Sequence, residues 1–102
     1  MTPDSVTKFR VGSQAIAAAV TAEQLPALAA ANGMAIVVKA RDTNTGSIWI
    51  GHSKATAEAH HFSLAPGASI HILVDNLSDV WVDVEVNGEV VEWIVEVGYG
   101  AV

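Results

Sequence analysis

The 102-residue chain contains no cysteine. That absence removes disulfides, thiolate metal sites and cysteine nucleophiles together. It also favours assembly inside a cell, because small secreted domains often depend on disulfides. Basic residues are scarce: five Lys and Arg stand against eleven Asp and Glu, a formal charge of −6. Nucleic-acid affinity rests on clustered cations. Lys8, Arg10, Lys39, Arg41 and Lys54 form no run, so no nucleic-acid partner is expected. Long apolar runs are missing too. The alanine-rich stretch 15–31 is broken by Thr21, Glu23, Gln24 and Pro26 and cannot form a membrane-spanning helix. The start, Met1 to Ser5, lacks the basic and apolar regions of a signal peptide. No membrane partner is expected.

Catalytic signatures are equally sparse. The chain has no G-x-S-x-G, no P-loop and no G-x-G-x-x-G, and Gly98-Tyr99-Gly100 lacks the strand-to-helix context of a phosphate loop. Most serines stand beside turns, where hydroxyls cap backbone groups. Neither an enzyme nor a cofactor is expected.

What the chain does contain is apolar residues, 51% of the total against 16% charged, the reverse of a disordered composition. The length allows one domain with one core, read as residues 15–102 preceded by an arm or first strand over 1–14. A domain this small has much surface for its volume. Part of its apolar content is therefore expected to face another subunit.

The pattern along the chain is one of short strands and sharp turns. Val6 to Val11 alternates imperfectly, as a first strand or an extended arm. Residues 16–21 lean towards strand. Residues 26–31, opened by Pro26 and followed by Asn32-Gly33, stand open between a short helical turn and a loop. Ala35 to Arg41 alternates cleanly, with Ile36, Val38 and Ala40 on one face. Asn44-Thr45-Gly46 is turn chemistry and leads into a strand with Ile48 and Ile50 on one side. Residues 52–61 read as a polar loop. Phe62 to Leu64 is a short strand, Pro66-Gly67 suits a type II turn, and Ser69 to Val74 alternates again. Asn87-Gly88 is a strong hairpin signal. A two-residue turn there pairs Val86 with Glu89, Val84 with Val91, Val82 with Trp93 and Val80 with Val95, all on one buried face. Seven or eight such strands predict an all-β antiparallel sandwich or jelly roll.

Three groups of side chains are candidates for function. His60 and His61 are adjacent, so on a strand they face opposite ways. With His52 and His71 in other segments, no zinc-ligand spacing exists, and loop or interface roles are favoured over metal. In the hairpin register, Asp83 lies opposite Glu92. Like charges across a strand pair are unfavourable, so a solvated face, a cation or a basic partner are the available readings. A glycosidase pair fits least. Trp93 reads as core, whereas Trp49 and Trp81, the latter beside Ile94, point away from it. Outward aromatics anchor protein interfaces or stack on sugar rings. The candidate interface set is Trp49, Trp81, His60, His61, Asp83 and Glu92.

The succession Ile36 to Arg41 (IVVKAR), Asn44 to Gly51 (NTGSIWIG), Phe62 to Gly67 (FSLAPG) and Val74 to Val82 (VDNLSDVWV) resembles a small β-sandwich domain of tailed-bacteriophage virion accessory proteins. Members carry comparable "N-T-G-x-I-x-V-G", "L-x-P-G-x-x" and "V-D-N-L-S-x-V-x-V" segments, followed by "G-E-x-V". The likeness covers about residues 16–97. It departs at His60-His61, where members often have Asn-Gly. The resemblance implies a capsid decoration protein on the virion exterior, made in the host cytoplasm. It would bind the major capsid protein as a homotrimer and stabilise the shell. The alternative is a fibre or tail module that recognises a host glycan or surface protein.

Overall fold

The computed structural model describes residues 9–31 and 35–97. Eight strands form two antiparallel four-stranded sheets. Sheet A has the order β1 (Phe9–Ala15), β8 (Val90–Glu96), β3 (Ile36–Ala40), β6 (Ser69–Ile72). Sheet B has the order β2 (Glu23–Gln24), β7 (Trp81–Val84), β4 (Ile48–Gly51), β5 (Ser63–Leu64). One helix, α1 (Lys54–Glu58), and a 3-10 turn over Leu77–Asp79 complete the described elements. The all-β sandwich expected from the strand pattern is the fold.

The core follows from alternation. In sheet A, Ile36 faces Val95, Val38 faces Trp93 and Ala40 faces Val91 across the β3–β8 register. In sheet B, Ile48 lies between Val84 and Leu64, and Ile50 opposite Val82. These rows meet between the sheets as one cluster with Ile16, Leu25, Leu77, Val80 and Val97. Each fully buried Val, Leu or Ile contributes about 2 kcal/mol. The expected turn at Pro66-Gly67 is present, with Gly67 at φ +86.

Three expectations are corrected, and the reading left open over residues 26–31 is decided. The Asn87-Gly88 hairpin does not form: β7 and β8 belong to opposite sheets. The turn is bound to the end of β1 instead. Gly88 N–H donates to Ile16 O at 2.8 Å, Ile16 N–H donates to Glu89 O at 2.9 Å, and Asn87 Oδ1 accepts from Ala19 N at 2.7 Å. Val80, Val82, Val84, Val91, Trp93 and Val95 are all buried as expected, but because they face each other across the core. The Asp83–Glu92 and Trp81–Ile94 juxtapositions vanish with the hairpin.

The strand expected over 16–21 is a turn, with β1 ending at Ala15 and Val20 in the left-handed region at φ 65. Residues 26–31 hold no helix. Their backbone binds the segment around the 3-10 turn: Leu28 N–H donates to Asn76 Oδ1 (2.9 Å), Ala30 N–H to Asp75 O (2.9 Å), and Leu77 N–H to Leu28 O (3.0 Å). A helix of under two turns carries the full nucleation cost, and these tertiary bonds outweigh alanine propensity. Finally, the polar loop over 52–61 contains α1. Residues 1–8, part of the expected N-terminal arm, and Gly98-Tyr99-Gly100 lie outside the described residues.

Candidate functional site

The outer face of sheet B gathers most of the candidate residues. Trp49 lies opposite Asp83 in the β4–β7 register, and Trp81 lies opposite Gly51. All three side chains alternate with core positions, so they point away from the core. Trp49 and Trp81 are thus diagonal neighbours on one face. Above that face sits α1. Ser53 caps it: Ser53 Oγ accepts from Thr56 N at 3.2 Å while Thr56 Oγ1 accepts from Ser53 N at 3.0 Å, a reciprocal capping box. Gly51 lets the helix lie directly on β4, since any Cβ there would collide with the Ala57 backbone nitrogen and with Thr56.

The chain leaves α1 through His60, which adopts the left-handed conformation at φ 59. This geometry costs a non-glycine residue on the order of 1 kcal/mol. It turns the imidazole back onto the sheet, where the ring stacks on Trp49 with centroids 3.7 Å apart and planes 16° from parallel. His60 Nε2 lies 2.6 Å from Asp83 Oδ2. Asp83 is 0% exposed, and its Oδ1 accepts from Val84 N at 2.9 Å. A buried carboxylate without partners costs several kcal/mol, so His60 is what allows Asp83 to sit there. The solvated face expected for Asp83 is therefore corrected: it is a buried carboxylate clamped under a histidine. His60 and His61 are not on a strand, and His61 stands exposed beside the stack.

Glu58 fastens the same helix to the rest of the chain. Its Oε2 accepts from Ala22 N at 2.8 Å and lies 2.6 Å from Lys54 Nζ. The Lys54 hydrogen bond, followed by the Ala22 backbone bond, holds the Glu58 carboxyl below its usual range.

Glu92 is elsewhere, on the outer face of sheet A. Arg41 Nε approaches it at 2.8 Å and Lys39 Nζ at 3.8 Å. It does not face Asp83. Around it, Val11, Ile94, Val37 and His71 form one outward row across β1, β8, β3 and β6. An open depression of about 480 Å³ lies over Val11, Ser13, Val37, Lys39, Arg41 and Ile94. Among the described residues, no three His, Asp or Glu side chains come together as a metal cage.

Two polar anchors were not singled out by sequence reasoning. Glu89 is 7% exposed and accepts from Gly46 N (2.8 Å), Thr45 N (3.1 Å) and Thr45 Oγ1 (3.3 Å). Asn44 completes the bracket, donating Nδ2 to Val90 O and accepting Val90 N–H at Oδ1, at 2.8 and 2.9 Å. Asn76 Oδ1 takes three donors, from Leu28 N, Ser78 N and Ser78 Oγ. The turn signal at Asn44-Thr45-Gly46 is visible in the sequence, but the carboxylate that closes that turn is 43 residues away from Gly46.

Comparisons of the chain with protein families, with curated proteins and with solved structures each return no match.

Proposed function

We propose that this chain is a structural assembly protein of a tailed-phage virion, decorating the capsid exterior as a homotrimer and stabilising the shell through contacts with the major capsid protein. One observation supports this reading above the rest. The residues that carry the resemblance act as framework: Asn44 and Gly46 are bracketed by Glu89 and Val90, Gly51 seats α1, and Asn76 ties the 3-10 turn to Leu28. Buried carboxylates are likewise committed to holding loops, Asp83 to His60 and Glu89 to Thr45 and Gly46. Such a chain acts through the surfaces it presents.

The test is co-sedimentation with capsids of the phage that encodes the chain, followed by heating. Saturable binding of many copies per particle, with a raised rupture temperature, is the expected result. A chain that ignores capsids at all concentrations overturns the reading. The recognition alternative rests on the diagonal pair Trp49 and Trp81 on one outer face. It predicts glycan binding that quenches tryptophan fluorescence and few copies per particle.

A further inference from the structure

The turn between β7 and β8 carries a pair of residues with chemistry of its own. Asn87 is followed by Gly88, which has no side chain to shield its backbone nitrogen from the Asn87 amide carbon. Both residues are exposed, so water reaches them. Attack of the Gly88 nitrogen on Asn87 Cγ forms a five-membered succinimide and breaks the Cγ–Nδ2 bond. The proton of the Gly88 amide leaves with the side-chain nitrogen as ammonia. Water then opens the ring at either carbonyl. Opening at Cγ yields aspartate; opening at the backbone carbon yields isoaspartate, with the chain rerouted through the side chain. Water enters, ammonia leaves, and no oxidant or reductant takes part.

The fold holds this pair out of reaction. Glu89 N–H donates to Val86 O at 3.3 Å and Gly88 lies at φ +84, the third position of a type II turn. Asn87, in the second position, takes a ψ of about +120°, which turns the Gly88 nitrogen away from the Asn87 side chain. Two bonds from the segment 16–20, just after β1, fix that arrangement. Ile16 O accepts the Gly88 N–H at 2.8 Å and so occupies the attacking nitrogen. Ala19 N–H holds Asn87 Oδ1 at 2.7 Å and anchors the side chain that must swing. This guard is itself strained, since Val20 beside Ala19 sits at φ 65 and is 66% exposed. An exposed, strained segment opens more readily than the sheets around it.

We propose that Asn87 is a site of spontaneous deamidation gated by the segment 16–20. While the segment is closed the amide persists, and each opening frees the Gly88 nitrogen and lets the ring form. The two products then behave differently. Aspartate keeps an oxygen for Ala19 N–H and adds a negative charge to the turn. Isoaspartate adds a carbon to the backbone before Gly88, so Gly88 N–H and Glu89 O no longer meet Ile16 in register. The end of β1 loses its anchor and does not regain it. The reaction is an irreversible record of opening, and it does not depend on the proposed function.

The test is peptide mapping of the full chain after timed incubation at mildly alkaline pH, folded in buffer and unfolded in guanidinium chloride. Mapping separates Asn87 from Asn32, which also precedes a glycine, and resolves aspartate from isoaspartate. Asn87 is expected to convert in the unfolded chain, and at least about tenfold more slowly in the folded one. Ala19→Pro removes the N–H that holds Asn87 Oδ1, and should raise the folded rate several-fold with the unfolded rate unchanged. Guanidinium chloride below the unfolding transition should also raise the wild-type rate, a second measurement that stands even where Ala19→Pro does not fold. Purified isoaspartate chains should exchange the Ile16 and Gly88 amide hydrogens faster than the parent, and aspartate chains should not. Equal rates in folded and unfolded chains overturn the gate, as does an unchanged rate in Ala19→Pro shown to be folded by circular dichroism. A wild-type rate that rises only with global unfolding assigns the protection to the whole fold and likewise overturns it. An Asn87 amide that survives in guanidinium chloride overturns the site itself.

Discussion

The outer faces of the two sheets are built on the same pleat and solve opposite problems. On sheet B, alternation sends a carboxylate and two indoles outward, and residues 52–61 bring His60 over the carboxylate of Asp83 and the indole of Trp49. Gly51 admits α1, the helix positions His60, and His60 neutralises the polar demand of Asp83 while stacking on Trp49. On sheet A, alternation sends Val11, Val37 and Ile94 outward between paired charges, and no described segment lies over them. A polar group buried within the fold costs about 1–3 kcal/mol when it loses its partner, so the partner is best supplied by the same chain. An apolar face can leave its cover to another molecule, since exposed aliphatic surface has a smaller cost per residue than an unpaired buried charge.

Breaking the covered face should have the largest effect. Gly51→Val drives a branched side chain into the backbone of α1, and should cost about 3 kcal/mol in urea unfolding. It should also raise the exposure of Trp49 to quenchers. His60→Ala leaves Asp83 buried without its cross-loop partner and should cost about 2 kcal/mol. Combining it with Asp83→Asn should cost less than the two single losses added together, which a double-mutant cycle measures. Additive losses would mean that the two side chains act separately.

A smaller effect of opposite sign is expected at Val20. Its branched side chain sits at φ 65, so Val20→Gly should stabilise the fold by about 0.5–1 kcal/mol after the entropy of glycine is set against the relieved strain. The smallest effect is expected on the open face. Val11→Thr should change unfolding free energy by no more than about 0.5 kcal/mol. A loss as large as that of His60→Ala would show that sheet A depends on Val11 for its own fold and would erase the contrast between the faces.

The two faces also differ in how legible they were. For β3 the outward Val37 and Lys39 and the inward Ile36, Val38 and Ala40 were read correctly from alternation alone, as were Ile48 and Ile50 on β4. Trp49 and Trp81 were read correctly as pointing outward. The sequence puts Asp83 on a solvated face, because nothing in its own strand indicates a cover. The cover comes from α1, whose capping residues Ser53 and Thr56 sit in a stretch that reads as polar loop, since a five-residue helix has no room for an apolar period. Asn87-Gly88 implies a hairpin, which would set Glu92 opposite Asp83. The local signal was correct in that a tight turn forms, with Gly88 at φ +84. The bonds of that turn go to Ile16 and Ala19, some seventy residues earlier in the chain.

From Ile36 onward the amino-acid sequence by itself determined most of the strands, the turns at Asn44-Thr45-Gly46, Pro66-Gly67 and Asn87-Gly88, and the apolar side of β3 and β4. These are local properties, set by the period of two along a pleat and by the φ preferences of glycine, asparagine and proline. Only the tertiary structure decided which strands pair. A valine that must be buried is satisfied equally by a neighbour in its own sheet and by one across the core, so alternation carries no address. The addresses are written in long-range polar contacts, Glu89 to Gly46, Asn87 to Ala19, Asn76 to Leu28 and His60 to Asp83. Each becomes favourable only once distant parts of the chain have been brought together.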